Sequence, residues 1–202
     1  MPQQSSETKD KKPGRPLKPS NIENMALSYL GRFATTTAHF RKIMIAKIER
    51  RCQRQNLTFS NEYKSMLEDV IERFEGYGYL NDRAYIDSKI KGGLQSGQSL
   101  RKIQSSLYQK GVAREEIEAS IARYKDNCED DGQGDIELKA AVLLMRKKRM
   151  GCFTKTPHSS LSPEEARKEK ERFYRRMAGA GFSYDIVNRL YDIPLDEAES
   201  LI

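Results

Sequence analysis

The side chains best placed to do chemistry here are cations that come in runs. Residues 32–54 hold Arg32, Arg41, Lys42, Lys47, Arg50, Arg51 and Arg54 against a single acid, Glu49. Guanidinium and ammonium groups without carboxylates between them attract phosphate oxygens, and such affinity falls with salt because counterions are displaced. A second block, Arg146-Lys147-Lys148-Arg149, is uninterrupted, and Arg101, Lys102 and Lys110 make a looser third set. The alternative for each set is a solvated helix face, which every soluble helix carries. The scarcity of acids around the first set favours binding there.

Covalent chemistry has little to stand on. His39 and His158 lie near no nucleophile pattern, and neither a Gly-rich phosphate loop nor a carboxylate pair is present. Cys152 and His158 are six apart without the further Cys or His that a tetrahedral zinc site needs. Glu68, Asp69 and Glu72 read as the outer side of a helix. The chain is expected to be a non-enzyme with no cofactor and no metal. Cys52, Cys128 and Cys152 are odd in number and far apart, which suits reduced thiols in a cytoplasmic protein. The first residues lack the apolar core of a signal peptide, and no apolar run approaches the roughly 20 residues of a membrane span.

The elements that must position the cations are helices. Tyr63, Met66, Leu67, Val70, Ile71 and Phe74 fall at i, i+3, i+4, i+7, i+8 and i+11, a stripe that a helix buries and a strand does not. Before it, Met25, Ala26, Tyr29 and Leu30 mark one helix, stopped at Gly31. Phe40, Ile43, Met44 and Ile48 mark another, capped by Thr35, Thr36 or Thr37, with Arg41 to Arg54 on its other side. After Gly76 and Gly78, Asn81 or Asp82 can cap a helix with Tyr85, Ile86, Ile90 and Leu94 inward. Ser99 caps the next, with Leu100, Ile103 and Leu107 inward, and Ile117, Ile121 and Tyr124 define one more from Arg114. Ile136, Ala140, Leu143 and Leu144 precede the basic block, and a loop is expected over residues 154–161. Ser162-Pro163-Glu164-Glu165 combines a serine N-cap, a first-turn proline and a capping-box glutamate. That helix carries Phe173 and Met177, and Ser183 opens the last clear one, with Ile186, Val187 and Leu190. Tyrosines and Phe33 read as core fillers.

The fold class is therefore all-α, as three tandem three-helix, helix-turn-helix-like repeats. The expected divisions are a disordered basic tail over residues 1–20, repeats over 21–80, 81–125 and 136–202, and an acidic linker over 126–135. Two echoes support a repeat: Lys110-Gly111-Val112 against Ala180-Gly181-Phe182, and Gly31-Arg32-Phe33-Ala34-Thr35 against Gly151-Cys152-Phe153-Thr154-Lys155. The spacing of roughly 55 to 60 residues is that of a divergent array, whose units pack on their neighbours and expose a long surface. Charge alternates along the chain: residues 62–87 carry seven acids against three bases, and residues 126–135 five acids and no base, within a net charge of +7. That pattern argues against a uniform coat on DNA. In the tail, Gly14-Arg15-Pro16 resembles an AT-hook, which would place Arg15 in a narrow minor groove; a basic solubilising tail is the other reading.

Gly78-Tyr79-Leu80-Asn81-Asp82-Arg83-Ala84-Tyr85, followed by Leu100-Arg101-Lys102-Ile103-Gln104-Ser105-Ser106-Leu107-Tyr108-Gln109-Lys110-Gly111-Val112, resembles the central part of the RecX family. The resemblance can be laid from about residue 25 to 190. It implies an elongated, curved array and a bacterial regulator, most plainly an inhibitor, of the RecA recombinase. Binding along the RecA–single-stranded DNA filament would lower ATP turnover, strand exchange and co-protease activity. The partners implied are RecA and single-stranded DNA, with duplex DNA as an extension; a monomer is expected and no membrane. Ser96-Gly97-Gln98-Ser99 and Ser105-Ser106 stand where charged residues are usual in the family. Two other classes compete. One is a stand-alone DNA-binding protein using residues 99–124 as a helix-turn-helix, with Arg114-Glu115-Glu116 at the start of its second helix. The other is a protein-interaction scaffold without a nucleic-acid role.

Overall fold

The chain's computed structural model describes residues 14–130, 135–154 and 162–202, with the side chains of Glu129 and Asp130 excepted. Lys11, Lys12 and Pro13 of the tail, residues 131–134 of the acidic linker, His158 and residues 155–161 of the expected loop lie outside the described residues. Every regular element among those described is helical, and none is long and apolar enough to cross a membrane. The chain divides into two compact units, Met1–Asp82 and Arg83–Ile202.

In the first unit, α1 (Pro19–Leu30), α2 (Thr37–Arg54) and α3 (Asn61–Gly76) enclose one core. The stripe on α3 goes inward as its spacing requires: Tyr63, Leu67, Val70, Ile71 and Phe74 are buried, against Ile22 and Ala26 of α1 and Phe40, Met44 and Ile48 of α2. Each such large apolar side chain contributes about 1.5–3 kcal/mol relative to exposure, so this stripe dominates the unit's stability. α1 and α2 each pack chiefly on α3 and less on one another, which leaves a groove between them. Thr36 caps α2 by accepting from the His39 N–H at 3.2 Å. Asp82 adds to it: its Oδ1 accepts from the Thr37 N–H at 2.7 Å and the Thr37 hydroxyl at 3.1 Å. A carboxylate at a helix N-terminus also meets the positive end of the dipole. Asp82, one of the two residues expected to cap the helix that follows it, thus serves α2.

The tail begins its ordered course earlier than its composition suggests. The Gly14 N–H donates to the Gln55 carbonyl at 2.7 Å, the Leu17 N–H donates to the Tyr63 hydroxyl at 3.3 Å, and Leu17 is buried. One leucine among polar neighbours is enough to dock the segment.

The second unit contains α4 (Asp82–Gln95), α5 (Leu100–Gln109), α6 (Arg114–Asp130), α7 (Ile136–Lys148), α8 (Pro163–Gly179), α9 (Tyr184–Tyr191) and α10 (Leu195–Ser200), with a 3₁₀ turn at Gly151–Phe153. One continuous core joins Ile86, Ile90, Ile103 and Ile117 to Ala141, Met145, Phe173 and Leu190. α7 is buried round most of its girth: Leu138, Ala141, Val142 and Met145 are inward along with Ile136 and Ala140, while Leu143 and Leu144 are half-buried. α6 continues helically through Asp130, past where the sequence reading starts a linker.

Turn chemistry fixes how these helices meet. At Gly111 (φ 78°) and Gly181 (φ 91°) the chain adopts the left-handed conformation. In both, the next N–H reaches back to the helix, Val112 to the Leu107 carbonyl at 3.2 Å and Phe182 to the Met177 carbonyl at 3.3 Å. The first sequence echo is therefore one Schellman turn used twice. The second echo is not structural, since Gly31 is right-handed (φ −63°) and Gly151 left-handed (φ 57°). Ser99 caps α5 through the Lys102 N–H and donates its hydroxyl to the Ala180 carbonyl at 2.6 Å. Gly97 (φ 80°) lies so close to α7 that a Cβ there would sit 2.8 Å from the Leu144 nitrogen.

Candidate nucleic-acid interface

The groove between α1 and α2 gathers part of the first cationic set. Lys47 Nζ lies 5.3 Å from the Tyr29 ring centre, and Arg51 Nη1 donates to Met25 Sδ at 3.9 Å. Asn21 and Gln55 line the same groove, so successive turns of α2 face successive turns of α1 in antiparallel order. Lys47, Arg50, Arg51 and Arg54 all open onto it, with Asn24 and Ser28 opposite, and it encloses about 730 Å³ with no acid among the described residues that line it. Among the described residues, neither Arg51 Nε nor Gln55 Oε1, both buried there, has a hydrogen-bond partner. An unpaired buried donor is costly, on the order of 1–3 kcal/mol, so an anion reaching Arg51 Nε would be rewarded.

The other predicted contacts are placed differently. Arg41 turns away from the groove to α3, where Nε and Nη2 grip the two carboxylate oxygens of Glu68 at 2.7 and 2.8 Å. That hydrogen bond and the Glu68 charge hold its guanidinium above its usual range, so Arg41 is already neutralised. Lys42 is exposed on α2. Arg32 folds back on the end of α1, donating to the Ser28 carbonyl at 3.0 Å, with its guanidinium carbon 5.8 Å from the Phe33 ring centre. In the second unit, Arg101 and Lys102 open with Ser105 onto a depression closed by residues 178–181. Lys110 belongs to the turn after α5. Arg146, Lys147 and Lys148 form the last turn of α7, where cations also offset the helix dipole, and Arg149 follows in the left-handed conformation (φ 52°).

The core role expected of Phe33 and the tyrosines fails for several of them. Phe33 is 53% exposed, Tyr77 69%, Tyr79 59% and Tyr184 70%. Phe33, Tyr77 and Tyr79 stand one or two residues after Gly31, Gly76 and Gly78, outside the 3.6-residue stripes, and that position was the available signal. The helix-turn-helix alternative is weakened at α6: Glu115 and Glu116 are exposed in its first turn, and Arg114 is taken by Glu118 at 2.7 Å. Among the described residues no three His, Cys, Asp or Glu side chains come together as a metal site would require.

No family model matches the chain. Over 190 residues it is 32% identical to the regulatory protein RecX of Myxococcus xanthus, spanning 91% of this chain and 92% of that one. The chain belongs to the RecX family. RecX of Agrobacterium fabrum is 30% identical over 141 residues, 70% of this chain and 67% of that one. The crystal structure of RecX from Lactobacillus salivarius shares the fold, with a TM-score of 0.55 at 21% identity over 85% of this chain and 93% of that one. The all-α repeat architecture is thus that of RecX proteins, and the chain is a regulatory protein of that family.

Proposed function

We propose that this RecX-family chain regulates the RecA recombinase by binding along its filament on single-stranded DNA, lowering ATP turnover, strand exchange and co-protease activity. The observation that carries the reading is the acid-free groove of Lys47, Arg50, Arg51 and Arg54, whose buried Arg51 Nε lacks a partner. DNA phosphates along a filament offer acceptors to the guanidinium and ammonium groups that open onto the groove, and their charge complements its four cations. Acidic helix faces elsewhere, such as Glu62, Asp69 and Glu72 on α3, suit basic protein surface rather than DNA. The chain then reads a composite of nucleic acid and protein, and regulates by occupying it.

The test is the DNA-dependent ATPase of the cognate RecA, titrated with this protein at fixed salt. A steep fall at protein levels well below RecA is expected. Unchanged turnover, together with salt-sensitive binding to bare DNA, would overturn the reading and bring the helix-turn-helix alternative forward.

A further inference from the structure

The cationic groove ends at an aromatic pair that the regulatory reading does not use. Tyr29 and Phe33 lie with ring centres 5.3 Å apart and planes tilted by 40°, and Tyr29 rests on the buried Phe40 at 5.9 Å. Tyr29 is therefore anchored from below, while more than half of Phe33 faces solvent. Two cations flank the pair: Arg32 stands over Phe33, and Lys47, which also lines the groove, stands over Tyr29. An exposed aromatic ring costs hydrophobic free energy, and this one continues an acid-free row of cations.

We propose that Phe33, backed by Tyr29, is a base-stacking platform for single-stranded nucleic acid, whose backbone continues past Lys47 into the α1–α2 groove. Every base offers a flat π-face, so aromatic platforms beside cationic tracks hold single strands without regard to sequence. Continuity with the cationic groove, through Tyr29 and Lys47, separates Phe33 from the other exposed rings. In the sequence Tyr77 follows Glu75 by two residues and Tyr184 directly precedes Asp185, and a carboxylate repels phosphate. A duplex keeps its bases stacked inside and offers Phe33 none, which makes the platform selective for single strands. The inference rests on reading the groove as a nucleic-acid site, and the experiment keeps the two apart.

The chain contains no tryptophan, so Phe33→Trp installs a single tryptophan at the platform, excited selectively at the red edge where the ten tyrosines do not absorb. Full-length F33W is titrated with an oligo-dT strand and with a blunt duplex, and F33A is measured alongside by anisotropy of the labelled strand. The expected result is quenching of the tryptophan by oligo-dT at the concentration where binding saturates, and little by duplex. F33A is expected to bind the strand about tenfold more weakly, the effect of one lost stack, with an unchanged salt slope because no phosphate contact is removed. Binding of oligo-dT without quenching, equal affinity of F33A, or equal quenching by duplex would each overturn the platform while leaving the groove standing. Failure of the unsubstituted protein to bind oligo-dT would overturn platform and groove together, and the RecA ATPase titration would then judge the regulatory reading separately. Phe33 is exposed, so both variants are expected to unfold at the temperature of the parent.

Discussion

Arg41 and Arg51 lie about three turns apart on one helix, and their guanidinium groups meet opposite surroundings. Arg41 is held by both oxygens of Glu68, whereas Arg51 keeps a buried Nε with no partner. Arg41→Ala is expected to lower stability by about 0.5 kcal/mol, the scale of a half-exposed ion pair, and to leave oligonucleotide affinity unchanged. Arg51→Met keeps the apolar stem and removes the unsatisfied donor, so urea unfolding should show no loss of stability. Its binding to single strands should weaken, with a salt slope shallower by about one. Equal effects of the two substitutions on binding would contradict this division. Glu137 supplies a third case. Burial pushes its carboxyl upward, opposed by the hydrogen bond it accepts from the Leu100 N–H at 3.2 Å. A raised folded-state value means that ionisation is penalised in the native protein. The penalty is absent in acid, develops as pH rises past the unfolded-state carboxylate value and is complete above the raised folded-state one. Glu137→Gln keeps an acceptor for Leu100 without the charge. Its Tm relative to the parent should be highest near neutral pH and decline as the solution is acidified.

At the level of elements, two backbone positions set the packing of the second unit. Gly97 needs its left-handed conformation and its missing Cβ together, because α7 passes within 2.8 Å of where that atom would be. Gly97→Ala should cost at least about 2 kcal/mol in denaturant unfolding, the left-handed penalty plus displacement of α7. Arg149 has the opposite problem, a side chain on a left-handed residue at the end of α7 (φ 52°). Arg149→Gly should stabilise by about 1 kcal/mol, and an unchanged or lower Tm would contradict that assignment of strain. The helices themselves were legible, because an apolar stripe such as Tyr63–Phe74 has one solution and caps such as Ser99 and Ser162 announce themselves. The pairings were not. Arg41 and Glu68 are 27 residues apart, and Asp82 caps α2 from 45 residues away. No local period encodes either. The burial of α7 round most of its girth was hidden for a related reason, since a helix so enclosed has only a narrow polar side to set its stripe.

For the whole molecule, charge total and charge placement say different things. A net charge of +7 suggests a general affinity for polyanions, but the cations of residues 32–54 are unequal: Arg41 is paired across helices, Arg32 folds back on its own helix end, and Lys47, Arg50, Arg51 and Arg54 share a groove. The site could be read from the sequence as a set of residues, and its membership could not, because that depends on which α2 side chains face α1 and which face α3. Phe33 was passed over because an aromatic in a sequence is read as core until its exposure is known. The family membership joins this local geometry to regulation. The most direct measurement is RecA ATPase inhibition by a triple variant, Lys47→Glu, Arg50→Glu and Arg54→Glu, set beside Arg101→Glu with Lys102→Glu, both verified as folded. The groove variant should lose inhibition by at least about tenfold, and the parent's inhibition should weaken steeply with salt. Full inhibition by the groove variant, at unchanged salt dependence, would contradict the account and leave those cations as a solvated surface.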